Sequence, residues 1–210
     1  MLTLKASPVH PEPEVVASAV QLLRDGGVVA YATDTLYGLG VDPRLDRAVE
    51  KLFGIKGRAD GQAIPLIAGS LDQALMAAEF GDRELRLVRE FWPGPLTIVV
   101  PARPGMSARM LAGGGTVAIR VPAQPIARAL ALGLGSPITS TSANLSGSPA
   151  PASALDLDPA VRAALDAVID SGAAPGGAPS TIVSMTSGSL QLLRAGAIAW
   201  ERVLRSAAES

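Results

Sequence analysis

The chain has 210 residues, 48% of them hydrophobic, with a mean hydropathy of +0.32, enough to bury a sizeable core without covalent staples. A formal net charge of -1 with only 18% charged residues gives no overall basic excess, which argues against nucleic-acid binding across the whole surface but leaves a local basic cleft open. The absence of cysteine excludes disulfides, cysteine nucleophiles, iron–sulfur clusters and cysteine zinc sites, and a single histidine, His10, excludes a two-histidine metal site.

Taken in chain order, residues 14–25 carry apolar side chains at helical spacing and end at Gly26-Gly27, so they predict a helix. Residues 28–32 (VVAYA) predict a short buried strand, and 33–40 (TDTLYGLG) a turn rich in hydroxyls and glycine. A second helix is expected over 46–53, running into Gly54-Ile55-Lys56-Gly57-Arg58. A strand follows at 64–68, then a helix from Leu71 with Ser70 as its N-cap. The helix at 82–91 stops at Trp92-Pro93-Gly94-Pro95, since two prolines and a glycine do not continue a helix. Strands are expected at 96–101, 116–122 and 138–142, with a helix over 125–132 between the last two. Residues 148–159 read as a surface loop, 160–166 as a short helix, 167–170 as a strand, 172–180 as a loop, and TIVSM and LQLLR as late strands. The tail after Glu201 is expected to fray. The alternation of strands and helices places the chain in the α/β or α+β class, with a mixed, twisted sheet. A single domain is expected over 1–210, with its core at about 14–200. No apolar run of 18 residues and no basic-then-apolar N-terminus occurs, which leads to the expectation of a cytoplasmic protein without a membrane span.

Four polar clusters fall at or near the ends of these elements, where ligands bind in open α/β sheets: Thr33-Asp34-Thr35 with Tyr37, Lys56-Gly57-Arg58, Thr116 with Arg120, and Ser140-Thr141-Ser142 with Asn144, Ser146 and Gly147. Ser180-Thr181 and Arg194 lie further on. Neither a phosphate-binding G-x-x-x-x-G-K-[ST] nor a dinucleotide G-x-G-x-x-G is present. Lysine is scarce, three against fifteen arginines, which draws attention to Lys56. It either caps the carbonyls of its own helix or offers a compact positive charge to an anion. Arg120 shares a strand face with Ala118, opposite Val117, Ile119 and Val121. A charge inside an apolar strand needs a partner, either a buried Asp or a carboxylate or phosphate held by the guanidinium fork. Asp34 reads equally as metal ligand, base or turn residue. Trp92 reads as a packing anchor and Tyr31 as core.

The segments YATDTLYGLGVD, KGR, FWPGPLTIVVP, TVAIRVP, TSANLSG, STIV and LRAGAI follow one another in this order. Together they resemble the YrdC-type threonylcarbamoyl-AMP synthase family over about residues 14–200. The resemblance implies a YrdC-like fold, a twisted mixed sheet around a large concave cleft. It also implies a reaction in which L-threonine, bicarbonate or CO2, and ATP give threonylcarbamoyl-AMP and pyrophosphate, with Mg²⁺ accompanying ATP. A tRNA threonylcarbamoyl transferase system would consume the product, and weak RNA binding would be compatible. By motif, Thr33, Arg120, Ser140 and Ser180 would hold threonine, with Arg120 on its carboxylate. Lys56, Arg58, Ser142 and Asn144 would face the triphosphate and the forming carbamate, and Thr116, Ser142, Arg194 and the loop near Ala150 would meet the nucleotide. Lys56 would then lie in a solvent-lined site, where Lys56→Met leaves folding intact.

The chain departs from the family pattern in carrying Ala32, Ala59 and Ala63 where proline is usual, changes that bear on loop rigidity and spare the polar residues. It is also expected to lack the extra C-terminal domain of longer relatives. Two other readings share the fold: a non-catalytic double-stranded RNA-binding module, disfavoured by a pI of about 5.8, and a carbamoyl-adenylate-forming domain, which normally sits in a longer chain with zinc-finger parts.

Overall fold

The computed structural model describes residues 1–57, 61–186 and 188–208. Two mixed sheets form. The first has strand order β1 (Leu2–Lys5), β9 (Ala167–Asp170), β2 (Val29–Ala32), β3 (Tyr37–Gly40) and β8 (Thr141–Ser142). The second has order β11 (Gln191–Arg194), β10 (Thr181–Ser184), β5 (Leu96–Pro101), β6 (Thr116–Arg120), β4 (Leu66–Ile67) and β7 (Ile138–Thr139).

Period-two alternation distributes the apolar residues between two cores. On β2, Ala30 and Ala32 enter the larger core while Val29 and Tyr31 enter the smaller one, and on β9 Val168 parts in the same way from Ala167 and Ile169. Strands apolar on both faces are thus covered on both. The smaller core is closed by α1 (Pro13–Arg24) and α5 (Pro125–Leu134). The larger takes in apolar side chains of α2 (Asp46–Lys56), α3 (Leu71–Ala77), α4 (Asp82–Phe91) and α6 (Pro159–Ala164). Ser70 caps α3 as its sequence position suggests, accepting from the Gln73 amide at 3.2 Å. Trp92 is a packing anchor: its indole donates to the Leu96 carbonyl at 2.6 Å and its ring meets Phe80 edge-on.

Four regions differ from the sequence expectation. The expected strand at 138–142 is two strands, β7 in the second sheet and β8 in the first, with Ser140 between them. Its amide donates to the Pro65 carbonyl at 2.8 Å instead of to a ladder. The turn expected over 33–40 contains a strand, β3, so that 29–40 is a hairpin with residues 33–36 at its tip. The tail is helical: α7 (Trp200–Ala208) buries Val203 in the larger core, and Arg202 reaches Glu90 at 3.3 Å and stacks over Phe91. β1, unread in the sequence, adds a strand to β9 in parallel.

Candidate active site

A cavity of about 450 Å³ opens where the two sheets meet at Ser140. Its wall carries Thr33 from the hairpin tip, Thr97 from β5, Arg120 from the end of β6, Ser140 from the crossing, Ser180 from the start of β10, and Arg194 from the end of β11. Ser142 and the backbone of Gly38 also reach it. A Cβ on Gly38 would stand 3.4 Å from the Thr33 methyl and 3.6 Å from Ser140 Oγ, so this glycine keeps the floor open between two of the hydroxyls.

Arg120 has the first of the two partners considered for it, a buried Asp. The side chain is 9% exposed, and Nη1 donates to Asp34 Oδ2 at 2.8 Å. Among the described residues this is the guanidinium's one protein hydrogen bond, and it leaves the rest of the fork to the cavity. Burial pulls the Arg120 pKa down and the adjacent Asp34 carboxylate opposes it. Arg194 is pulled the same way by burial and then by repulsion from Arg120. Two guanidinium groups close enough to repel make this cavity attractive to anions.

Hydroxyls surround the fork. Ser180 Oγ pairs with Thr97 Oγ1 at 2.9 Å and accepts from Arg194 Nη2 at 2.9 Å. Arg194 also fixes the Ser180 carbonyl through Nε and Nη2 at 3.1 and 2.8 Å. An arginine has only donors, so Ser180 and Thr97 between them keep one hydroxyl hydrogen for a further acceptor. Thr33 donates its hydroxyl to the Leu36 carbonyl at 2.8 Å and accepts from the Thr35 amide at 3.3 Å, which closes the hairpin tip on the cavity wall. Beneath Ser140 lies the fully buried Tyr31, whose phenol donates to Thr139 O at 3.0 Å. Burial raises its pKa far above the ordinary value, so it stays a neutral donor.

Lys56 stands elsewhere than the sequence implied. It is 3% exposed and does not line the cavity. Its ammonium donates to Ser142 O at 2.6 Å, Asn144 O at 2.9 Å and Asn144 Oδ1 at 3.0 Å. Nor does it cap its own helix: Gly57, in the left-handed conformation with φ 56°, ends α2, and the side chain crosses to another turn. Lys56 therefore ties the end of α2 to the 142–144 turn. Ser142 Oγ donates to Asn144 Oδ1 at 2.5 Å, and Asn144 Nδ2 donates to Ser148 O, so Asn144 is held within the turn. The expectation of a solvent-lined Lys56 is corrected, because a buried ammonium needs several acceptors and this turn supplies them. Arg58 and Ala59 lie outside the described residues.

Thr116 begins β6, on the same face as Arg120 and about 13 Å along the strand at the usual rise of about 3.3 Å per residue. Ala150 precedes Pro151, whose carbonyl accepts from the Tyr37 amide at 2.9 Å, which returns the loop to the rim of the cavity. Asp34 and Thr97 are the residues that sequence reasoning left unassigned. For Thr97 the signal was available: it is the polar side chain in LTIVVP, as Arg120 is the charged one in TVAIRVP.

The family profile for Sua5, YciO and YrdC, described as "Telomere recombination", matches residues 21–196. The chain belongs to the Sua5/YciO/YrdC family. A relative named threonylcarbamoyl-AMP synthase, from Bacillus subtilis (strain 168), is 37% identical over 190 residues, which cover 90% of this chain and 55% of that protein. The crystal structure of P. abyssi Sua5 complexed with L-threonine matches with a TM-score of 0.93 at 31% identity, over 98% of this chain and 61% of that one. E. coli YciO matches with a TM-score of 0.85 at 28% identity, over 95% of this chain and 98% of that one. This Sua5/YciO/YrdC chain thus spans little more than half the length of the B. subtilis relative. No helix among its described residues is long and apolar enough to cross a membrane.

Proposed function

We propose that the chain is an L-threonylcarbamoyladenylate synthase, a nucleotidyl-transferring enzyme. In this reading the amine of L-threonine captures CO2 as a carbamate. A carbamate oxygen then attacks the α-phosphorus of ATP and pyrophosphate departs. The observation that carries the reading is the half-paired Arg120 fork set among the hydroxyls of Thr33, Ser140 and Ser180 in a cavity roomy enough to admit an amino acid beside a second group. The fork takes the threonine carboxylate and the hydroxyls meet its amine and side-chain oxygen. Support comes from the name of the B. subtilis relative and from the threonine-bound P. abyssi Sua5 structure.

The nucleotide lies on the side of Ser142, Arg194, Thr116 and the loop at Ala150, with Arg58 as a further cation. Lys56 holds the 142–144 turn in place, so that Ser142 and Asn144 face the reacting groups from a preorganised backbone. Positioning and preorganised positive charge suffice for such phosphoryl chemistry without a histidine base.

The described residues around the cavity do not suit a resident Mg²⁺. None of the described residues lining the cavity is a carboxylate, and Asp34 behind it gives both oxygens to protein donors. No group of three His, Cys, Asp or Glu gathers among the described residues. The protein donors do not fit a resident Mg²⁺, and the ion is assigned to the ATP phosphates alone. The product is consumed by a transferase system that modifies tRNA.

The test is pyrophosphate release from ATP with and without threonine and bicarbonate. Release should require both. Release unaffected by omitting threonine would remove the synthase reading.

A further inference from the structure

Asp34 stands behind the cavity wall and touches nothing inside it. Its side chain is 13% exposed and both carboxylate oxygens are committed. Oδ2 accepts from Arg120 Nη1 at 2.8 Å and Oδ1 accepts from the Gln124 backbone amide at 2.6 Å. Gln124 is the N-cap of α5, and its side chain in turn accepts from the Ile126 amide at 2.5 Å. The carboxylate is therefore clamped between a helix N-terminus, which favours negative charge, and a buried guanidinium. Three elements meet on it: the β2–β3 hairpin tip, the end of β6 and the start of α5.

Two consequences follow from elementary chemistry. Arg120 is held by one nitrogen, so the plane and direction of its fork are set by Asp34 while its remaining donors face the cavity. Charge is the second. Arg120 and Arg194 bring two positive charges to the wall, and Asp34 offsets one. The pair of arginines alone would suit a dianion, whereas with Asp34 the cavity is matched to a single negative charge.

We propose that Asp34 is the positioning residue of the site, orienting Arg120 and setting its preference for a carboxylate monoanion over a phosphate-like dianion. The inference deepens the synthase reading and rests on its threonine site. Asn has the shape of Asp but only one acceptor oxygen. It cannot serve both Arg120 and the Gln124 amide, since its NH2 would face one of the two donors.

The experiment is calorimetric binding of L-threonine to the full chain, wild type and Asp34→Asn, with sodium acetate and sodium sulfate as competitors. ATP binding is measured alongside. In the wild type, acetate should displace threonine at a lower concentration than sulfate. The reverse order would overturn the proposal, and this arm needs no variant. Asp34→Asn should weaken threonine at least about tenfold, change ATP affinity less than about twofold, and make sulfate the better competitor. Asp34→Glu keeps the charge and should keep the wild-type order of acetate and sulfate. Asp34→Asn that binds threonine as the wild type does, or that loses threonine, sulfate and ATP alike, would overturn the inference and leave the synthase reading standing. A wild-type protein that binds no threonine at all would remove both.

Discussion

Arg120 and Lys56 are both cations buried below a tenth of their surface, both stand at the end of a regular element, and the structure uses them in opposite ways. Arg120 has one partner, a carboxylate reached through one nitrogen, and the rest of its fork faces a cavity. Lys56 meets three neutral oxygens of a single turn and does not line that cavity. A buried charge is tolerated in either arrangement, because what it needs is acceptors and not specifically a counter-ion. The difference lies in what remains available. The half-paired arginine keeps donors for a ligand, whereas the surrounded lysine has used its donors to shape backbone.

The contrast can be broken most decisively at Arg120. Arg120→Ala should weaken threonine binding by about 2–5 kcal/mol, the cost of truncating one partner of a buried charge pair. ATP binding should change much less. A folded variant with unaltered threonine affinity by calorimetry would dissolve the distinction between the two cations.

Lys56→Met should act on the fold first. It strands the carbonyls of Ser142 and Asn144, and an unsatisfied buried acceptor costs about 1–3 kcal/mol. Thermal melting should fall accordingly, by about 2–4 °C per kcal/mol for a chain of this size. Turnover per folded molecule should fall as well, since the loosened turn carries Ser142 and Asn144, while threonine affinity should stay near the wild-type value. An unchanged melting temperature would mean that the three hydrogen bonds contribute nothing.

Gly196→Ala sharpens the Arg120 side from a position that does not itself line the cavity. A Cβ there would stand 2.3 Å from Pro179 O and 2.5 Å from the carbonyl carbon of Ser180. The obstructing atoms are backbone and cannot swing away, so Ser180 and the Arg194 bonds to it must shift. Overpacking of this kind costs about 1–3 kcal/mol. The expected signature is weaker threonine binding at intact ATP binding; unchanged threonine affinity would show that the Ser180 carbonyl is not held for the ligand.

A pair far from the cavity provides the smallest effect. Lys51 Nζ donates to Asp166 Oδ2 at 2.6 Å, and the same oxygen accepts from the Val28 amide at 2.7 Å. Burial alone would raise the Asp166 pKa, but these hydrogen bonds outweigh it and the net shift is downward. A carboxyl with a lowered folded pKa stabilises the protein above its unfolded pKa, and that contribution is lost as pH falls through the folded value. Asp166→Asn should thus cost under about 1 kcal/mol at neutral pH, as half-exposed pairs do. The gap to the wild type should narrow once pH falls below the ordinary aspartate value and close below the lower folded value, which melting curves taken from pH 7 down into the acid range would read.

The polar clusters were legible because polar residues in apolar strands are conspicuous. Arg120 in TVAIRVP announced a need for a buried partner, and the structure supplies it in Asp34 while placing the guanidinium on the cavity wall. The strands at 96–101 and 116–120 followed from alternation. What escaped was set by distant contacts. Lys56 is surrounded by atoms 86 and 88 residues away, and no local pattern reports that. The run at 138–142 alternates as one strand would, and only its pairing shows that β7 and β8 belong to different sheets. For α7 the signal was present in Trp200 and Val203 at helical spacing, but a chain end was assumed to have nothing to pack against.

The crossing at Ser140 has a mechanical consequence. One residue is the hinge pin between two hydrogen-bonded plates, and its amide is fastened to Pro65 while its side chain faces the cavity. A molecule seated against Ser140 braces both plates at once. Occupancy should therefore slow hydrogen–deuterium exchange of amides in β3 and in β4 together, two strands that share no ladder. The site would then act as a clasp for the whole molecule, so that the ligand's grip is measurable in the stiffness of both sheets at once.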